Sequence, residues 1–272
     1  MAILNATPDS FSDGGTHDGQ DRHELRRTVK AYIAAGATII DVGGQSSRPN
    51  APDIGAEEEI ARILPTIEVI RSLPEAETIT ISVDTYRAAV AEAAINAGAH
   101  VVNDISAGQL DADMLPTIAR LGCTYVMMHM RGTPSTMQNA ENCDYPEGLQ
   151  RMMINELYSR IDAAMAAGIR RWRIVLDPGI GFSKTRQQNL TILKSVNLIR
   201  RRFREIPWLV GSSRKSFIGK ITGVEEPKDR TWGTAATVTA AVRGGADIVR
   251  VHDVKEMVVV VKMADAIYRG EV

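Results

Sequence analysis

The chain has 272 residues, of which 44% are hydrophobic and 24% are charged, and its formal net charge is −1 at pH 7. This composition is close to that of average globular proteins, so it indicates neither a disordered chain nor nucleic-acid binding through bulk positive charge. No apolar run approaches the roughly 18 residues of a membrane span, and the two cysteines predict neither a disulfide framework nor a metal site.

Short apolar segments alternate with amphipathic segments along the whole chain. The predicted strands cover residues 2–4, 38–42, 79–83, 100–103, 125–128, 174–176, 209–210 and 248–251. The predicted helices lie near residues 25–36, 60–70, 88–97, 112–121, 146–167, 192–203, 231–242 and 257–268, with a kink expected at Pro65. Residues 5–15 and 131–145 are predicted to be long loops. Because the chain begins inside its first strand, we expect it to be a domain of a longer protein.

Each predicted helix can carry the chain back to the start of the next strand, so the alternation predicts a parallel sheet. Eight such units of about 34 residues can close into a barrel. An open doubly wound sheet would show a GxGxxG turn after the first strand, and residues 5–15 lack one. We therefore predict one α/β domain over residues 1–272 with the (β/α)8, or TIM-barrel, architecture. Its ligand site should lie at the carboxyl ends of the strands.

Polar residues at or just after the predicted strand ends are the candidate site residues. They are Asn5, Ser47, Arg48, Asp84, Asn103, His129, Asp177, Lys215, Arg250 and His252. The carboxylates and the Asn103 amide suit a planar heterocycle rich in hydrogen-bond donors, and Lys215 can donate to its carbonyl or nitrogen. The cationic residues and the backbone amides of GSSRKS suit a phosphate or diphosphate. Asn5 can share Mg²⁺ with that phosphate, because Mg²⁺ sites usually take only one or two protein ligands.

Several of these features also have structural explanations. Thr85, Ser106 and Asp253 are predicted to be helix caps or turn residues. The role of Asp41 is ambiguous. It precedes Val42 and Gly43, so its side chain can point into the barrel as a structural group rather than contact a ligand. The methionines around strand five favour packing, although one of them can line a flat aromatic ligand.

Eight motifs, in order along nearly the whole chain, carry a resemblance to a known family. They are MAILNATPDSFSDGG, GATIIDVGGQSSRP, ISVDTYR, VNDIS, MMHMRGTPSTMQ, LDPGIGFSKT, GSSRKSFIG and VRVHDV. Together they resemble the dihydropteroate synthases, and most of all the form found as the last domain of multifunctional fungal folate enzymes. The resemblance implies a TIM barrel that condenses 7,8-dihydropterin-6-ylmethyl diphosphate with p-aminobenzoate, giving 7,8-dihydropteroate and pyrophosphate. It also implies a cytoplasmic homodimer that requires Mg²⁺, is inhibited by sulfonamides and can be fused to other folate-pathway domains.

The resemblance assigns a role to each matching residue. The pterin would be bound by Asp84, Asn103, Asp177 and Lys215 in a slot lined by Met128, Phe182 and Gly211. Asn5 would hold Mg²⁺, and the diphosphate would contact Ser47, Arg250 and His252. The p-aminobenzoate site would be shaped by Phe11, Arg48, Pro49, Ser213 and Ser216. The catalytic group would be Asp84, Asp177, Lys215, Arg250 and His252. One departure is Ser47, which keeps the hydroxyl but lacks the methyl group of the threonine common in the family. The anion contact should therefore persist, whereas the rigidity of this loop and the response to sulfonamides can differ from the family's.

These residues favour a dissociative substitution in which diphosphate leaves before the arylamine attacks. Two other interpretations remain open at this point. A pterin-binding methyltransferase barrel would share the carboxylate and amide pocket but would not need the cationic residues Arg48, Lys215, Arg250 and His252. A non-catalytic barrel would bind pterin without forming product.

Overall fold

The computed structural model describes residues 1–6, 18–45 and 53–270, with the backbone alone for residues 18–21. Within these ranges the chain forms eight short strands whose residues are mostly apolar and buried. They are β1 (Ala2–Asn5), β2 (Ile39–Gly43), β3 (Thr80–Asp84), β4 (Val101–Asp104), β5 (Thr124–Met128), β6 (Ile174–Asp177), β7 (Leu209–Val210) and β8 (Ile248–Val249). Strands that are apolar on both faces are typical of a parallel sheet covered by helices.

The strands close into a barrel. The first six form one parallel sheet in chain order, and β7 pairs in parallel with β8. The amide of Leu176 in β6 donates to the carbonyl of Pro207 at 2.9 Å, and the amide of Ile3 in β1 donates to the carbonyl of Val251 at 3.0 Å. These two contacts join the sheets on both sides and confirm the predicted (β/α)8 architecture. All strand carboxyl ends consequently meet at one rim.

Helices follow the strands and cover the outside of the barrel. The described residues contain α1 (Asp18–Ala34), α2 (Gly55–Arg71), α3 (Ala88–Asn96), α4 (Met114–Leu121), α5 (Leu149–Ala166), α6 (Arg186–Arg200), α7 (Ser216–Thr222), α8 (Thr231–Arg243) and α9 (Val254–Arg269). The short α7 was missed, because seven residues are too few to show helical periodicity. Pro65 lies inside α2 without ending it. None of the described helices combines the length and the apolar character needed to cross a membrane.

The start of α6 differs from the prediction. The sequence pattern placed this helix at 192–203, whereas it begins at Arg186. The side chain of Thr185 accepts a hydrogen bond from the Gln188 amide at 3.3 Å, and the Gln188 side chain accepts one from the Thr185 amide at 2.7 Å. This capping box starts the helix before its first apolar residues, and it also fixes the end of the loop that leaves β6.

Two of the three apolar clusters among the described residues build the barrel itself. The larger cluster includes residues of the strands and of the helices that cover them. A second cluster takes one residue from each of β4, β5, β6 and β7, namely Val101, Val126, Val175 and Leu209. Because this cluster includes strand residues and no helix residues, it fills the inside of the barrel. The floor beneath the rim is therefore solid, and a ligand can bind only above it.

Candidate active site

Arg250 joins two carboxylates across the mouth of the barrel. Its Nε donates to Asp41 Oδ2 at 2.6 Å, and its Nη2 donates to Asp84 Oδ2 at 2.6 Å. The same oxygen of Asp41 also accepts a hydrogen bond from Asn103 Nδ2 at 3.0 Å. Asp41, which the sequence left ambiguous, thus lies under the site and holds Arg250 and Asn103 in place. Such a set is favourable only when each charge has a partner, since an isolated buried ion is costly.

The charges in this group affect one another strongly. Burial raises the pKa of Asp84 to about 7, although the nearby Arg250 guanidinium acts in the opposite direction. Burial alone would lower the pKa of Arg250, but Asp41 and Asp84 raise it well above its ordinary value. Arg250 is therefore permanently charged, and among the described residues its Nη1 has no hydrogen-bond partner. Asp84 can gain or lose a proton near neutral pH.

Asp177 ends β6 and is held by a tight glycine turn. Its Oδ1 accepts a hydrogen bond from the Gly179 amide at 2.7 Å. Gly179 has φ +66°, and a Cβ there would lie 2.0 Å from the carbonyl oxygen of His129. Only glycine fits this position, so the Asp-Pro-Gly sequence sets the direction of the carboxylate. Asp177 is 5% exposed, and burial raises its pKa while Lys215 acts to lower it.

Lys215, at the start of α7, leans against this turn. Its ammonium donates to the carbonyl of Ile180 and lies 4.5 Å from the centre of the Phe182 ring. A Cβ at Gly181 would lie 2.8 Å from Lys215 Cδ, so this glycine leaves room for the lysine stem. Burial lowers the pKa of Lys215 to about 8, while Asp177 acts to raise it. A carboxylate, an ammonium and an aromatic ring therefore surround one space.

An apolar wall completes this space. Met128, the last residue of β5, is paired in the sheet with Asp177. It packs with Ile105, Met130 and Met137, and the partly buried Phe182 lies against the same cluster. Gly211, at the end of β7, would place a Cβ 3.6 Å from Arg250 Cβ and 4.0 Å from Asp177 Oδ2. The absence of a side chain there keeps the space above Asp177 open. The structure thus brings together all seven residues predicted to form the pterin slot.

The predicted anion side lies next to this slot, between β7 and β8. The backbone amide of His252 donates to Ser213 Oγ at 3.1 Å, and His252 Nδ1 lies 3.0 Å from the same oxygen. Arg214 forms an ion pair with Asp253 that joins the same two loops. Ser216 is exposed in the first turn of α7, and Asn5 is exposed at the carboxyl end of β1. Phe11, Ser47, Arg48 and Pro49 lie outside the described residues.

His129, which the sequence placed on the rim, is fully buried behind the end of β5. Its Nε2 lies 2.9 Å from Glu156 Oε2, and its Nδ1 lies 3.0 Å from Lys184 Nζ. Side chains alternate in direction along a strand, so a residue that follows the inward Met128 faces outward. Neither Lys184 nor Glu156 was singled out by the sequence analysis.

Arg87 is a second residue that the sequence analysis did not single out. It pairs with the buried Glu59 and with Asp53, and its Nη1 also donates to Gln45 Oε1 at 2.8 Å. Its partners come from the β2 end, from α2 and from the segment before α2. They are too far apart in the sequence for any local motif to reveal this group.

The described residues contain no group of three or more His, Cys, Asp or Glu side chains arranged to hold a metal ion. A Mg²⁺ ion that binds mainly through substrate phosphate needs only one or two protein ligands. The exposed amide of Asn5 at the rim is compatible with that limited role.

Comparison with known proteins gives consistent matches. A family model described as pterin binding enzyme matches residues 1–252. The chain is 48% identical to a folic acid synthesis protein from Pneumocystis carinii over 99% of the chain, but it spans only 36% of that protein. A dihydropteroate synthase from Synechocystis is 45% identical, and the match covers 99% of this chain and 90% of that protein.

Solved structures agree with these matches. The dihydropteroate synthase from Clostridium difficile, crystallised with pteroic acid, superposes with a TM-score of 0.88 at 38% identity, covering 98% of this chain and 95% of that one. The Yersinia pestis enzyme in complex with a sulfonamide drug superposes with a TM-score of 0.85 at 38% identity, covering 99% of this chain and 94% of that one.

Proposed function

We propose that this chain, which belongs to the pterin-binding enzyme family and within it to the dihydropteroate synthases, is a transferase of folate biosynthesis. It would join 7,8-dihydropterin-6-ylmethyl diphosphate to p-aminobenzoate, giving 7,8-dihydropteroate and pyrophosphate. One observation carries this proposal. Asp84 and Asp177 end β3 and β6, and Lys215 at the start of α7 meets them in one slot. In each carboxylate one oxygen has no hydrogen-bond partner among the described residues.

The slot suits the pterin ring chemically. The amino-pyrimidinone edge of a pterin presents neighbouring N–H donors and a carbonyl. The buried carboxylates of Asp84 and Asp177 can accept from those donors, and Lys215 can donate to the carbonyl. Phe182 and Met128 supply apolar surface for the face of the ring. An unpaired buried carboxylate is costly, so the slot favours a ligand that provides donors and disfavours one that does not.

The diphosphate would lie toward β8. Arg250 is permanently charged and keeps its Nη1 unused among the described residues, and His252 and Ser213 stand on adjoining loops. A guanidinium is well suited to phosphate oxygens because its donors are fixed in one plane. Ser47 is proposed as a further contact, and Phe11, Arg48, Pro49 and Ser216 as the border of the arylamine subsite.

The reaction would proceed by dissociative substitution. The bond between the pterin methylene carbon and the diphosphate oxygen breaks, and its electron pair leaves with the diphosphate. Positive charge then spreads into the dihydropterin ring, where the carboxylates of Asp84 and Asp177 stabilise it. The arylamine nitrogen forms the new C–N bond and releases one proton to solvent or to the departing diphosphate. A neutral arylamine needs no strong base, so no nucleophilic side chain is required.

We propose Mg²⁺ as the cofactor and Asn5 as its protein ligand. When bound, the ion would offset negative charge on the diphosphate and so make it a better leaving group. The residues of this chain would keep their separate tasks, with Arg250 and His252 orienting the same diphosphate from the β8 side.

A homodimer is proposed from the surface of α8 and α9. Trp232 is 86% exposed in α8, and Val259, Met263, Ile267 and Tyr268 are exposed along α9. Helix faces with several large apolar residues are typical of protein interfaces, and a second copy of this chain would cover them. Sedimentation of the wild type and of Met263→Glu tests this, since the dimer should dissociate in the variant.

Fusion to other folate-pathway domains and a cytoplasmic location are further parts of the proposal, and cell fractionation tests the latter.

Pyrophosphate release tests the proposed activity. The protein is mixed with dihydropterin diphosphate and Mg²⁺, with or without p-aminobenzoate and a sulfonamide. We expect release that requires the arylamine and is blocked by the sulfonamide. Pterin binding without release would favour a non-catalytic barrel, and methyl transfer to a corrinoid partner would favour the methyltransferase interpretation.

A further inference from the structure

A buried lysine, Lys184, lies outside the proposed binding slot and holds the β6–α6 loop in place. Lys184 is 2% exposed and follows Phe182 by two residues in the β6–α6 loop. Its Nζ lies 2.9 Å from the carbonyl oxygen of Phe182, 3.3 Å from the carbonyl oxygen of His129 and 3.0 Å from His129 Nδ1. The three hydrogens of an ammonium group match these three acceptors.

Glu156 determines which nitrogen of His129 can accept. The carboxylate of Glu156 lies 2.9 Å from His129 Nε2 and also accepts from Arg131 Nε at 3.0 Å. Burial would raise the pKa of Glu156, but hydrogen bonds from His129 and Arg131 lower it to about 2, so it is an acceptor only. His129 must then carry its proton on Nε2, which leaves the lone pair of Nδ1 for Lys184.

His129 connects this group to the proposed pterin slot. Its backbone amide donates to the carbonyl of Asp177 at 2.9 Å, and its carbonyl faces Gly179 so closely that no Cβ would fit. The Asp177 turn is thus held at its start by the backbone of His129 and near its end by Lys184 through Phe182. Lys184 also donates to the carbonyl of His129, so both ends of the turn are joined to these two residues.

We propose that Lys184 is a positioning residue for pterin binding. It joins the β6–α6 loop to the end of β5 by a hydrogen bond to His129, whose proton is on Nε2. Lys184 touches neither the proposed ligand space nor the carboxylate of Asp177 in any described hydrogen bond. It acts through Phe182 and through the turn that directs Asp177. This inference rests on the proposed function, because it names the ligand whose binding should suffer.

The groups around Lys184 act on its pKa in opposite directions. Burial lowers its pKa to about 7, Asp177 acts to raise it, and Lys215 and Arg160 act to lower it. Burial and the charge of Lys184 lower the pKa of His129 to about 3, so the imidazole remains neutral at physiological pH. A neutral imidazole is required for Nδ1 to accept a hydrogen bond.

The test compares Lys184→Met with Lys194→Met. Methionine keeps the length of the side chain but donates no hydrogen bond, and Lys194 is an exposed lysine on α6 that serves as the matched control. Calorimetric titration with 6-hydroxymethylpterin should show affinity at least tenfold weaker for Lys184→Met and within twofold of wild type for Lys194→Met. In turnover, KM for the pterin substrate should rise more than KM for p-aminobenzoate. A folded Lys184→Met protein with wild-type pterin affinity would overturn the inference.

A second measurement needs no substitution at Lys184. In ¹⁵N spectra of histidine in the wild-type protein, His129 should remain neutral and protonated on Nε2 between pH 5 and 8. A protonated Nδ1, or a titration in this range, would contradict the inference even if Lys184→Met fails to fold. Because these signals do not depend on turnover, an inactive wild type would defeat the proposed function and leave the Lys184 assignment to be judged separately.

Discussion

Two kinds of buried carboxylate lie at the barrel rim, at the ends of two strands that are separated by β5. Asp104, the last residue of β4, accepts hydrogen bonds from the Ser106 amide and hydroxyl, from the Gly108 amide and from the Tyr125 hydroxyl, at 2.6 to 2.7 Å. Asp177, the last residue of β6, accepts one from Gly179. Both are buried, and burial raises both pKa values. The difference is in how many acceptor positions the protein itself fills.

This difference separates a structural role from a binding role. A buried carboxylate whose acceptor positions are filled fixes the protein around it, as Asp104 fixes the loop from β4 to α4. A buried carboxylate with an unused oxygen is stabilised when a ligand supplies the missing donor. The contrast therefore predicts that changes at Asp104 reduce stability, whereas changes at Asp177 reduce activity. Four measurements test this contrast, in order of decreasing expected effect.

The largest expected effect belongs to Asp177→Asn. The amide oxygen of asparagine can still accept from Gly179, so the free energy of unfolding should fall by less than about 1 kcal/mol. The substituted amide group would face the donors of the pterin, and kcat/KM should fall about 10³-fold. Steady-state kinetics and urea denaturation of the same preparation measure both quantities. A loss of activity below tenfold would contradict the proposed binding role of Asp177.

Asp104→Asn should show the reverse pattern. An asparagine side chain presents an NH₂ group to donors that previously met a carboxylate oxygen, so the free energy of unfolding should fall by about 2–4 kcal/mol. The folded variant should keep kcat/KM within about threefold of wild type, because Asp104 faces away from the slot. If activity were lost while stability was retained, the distinction between the two carboxylates would be wrong.

Gly179→Ala tests the turn that directs Asp177. The new Cβ would overlap the carbonyl oxygen of His129, so we expect a loss of about 2 kcal/mol in stability together with weaker pterin binding. Gly223→Ala is the matched control, since Gly223 has φ +75° and nothing lies within 4 Å of its added Cβ. Equal losses of pterin affinity in both variants would contradict this explanation. They would mean that backbone strain, and not the overlap with His129, weakens pterin binding.

The smallest expected effect is the pH dependence of kcat/KM for the pterin substrate. This quantity should fall about tenfold per pH unit on each side of its maximum. The pKa of Asp84 is raised to about 7, so acidification below that value protonates the carboxylate and removes an acceptor. The pKa of Lys215 is lowered to about 8, so its charge is lost above that value. The profile of kcat/KM for the pterin substrate should be bell-shaped between these values. An acid limb that persists in Asp84→Asn would have to come from another group.

Much of this architecture could be predicted from the sequence because strand ends are marked locally. The apolar run before Asp177 and the glycines after it identify both a strand end and a turn. The capping box of Thr185 and Gln188 was also visible in the sequence as Thr-x-x-Gln, although the apolar periodicity drew the predicted start of α6 to a later residue.

The direction of a side chain at the rim could not be predicted in the same way. Asn103 and Asp104 are consecutive residues, yet Asn103 donates to Asp41 in the barrel mouth while Asp104 binds the adjacent loop. Similarly, Met128 lines the slot and His129 faces away from it. A shift of one residue in strand register exchanges the two faces, and residues 125–128 and 100–103 were located only by their apolar character.

Calorimetric titration of a pterin into Asp177→Asn and Asp104→Asn distinguishes the two carboxylates without relying on turnover. Both proteins are compared in the folded state, with wild type as reference and 6-hydroxymethylpterin as the ligand. We predict that Asp177→Asn loses pterin binding by at least a hundredfold, while Asp104→Asn binds within about threefold of wild type. Wild-type affinity in Asp177→Asn, or lost affinity in a folded Asp104→Asn, would contradict the claim that unused carboxylate oxygens mark the binding site.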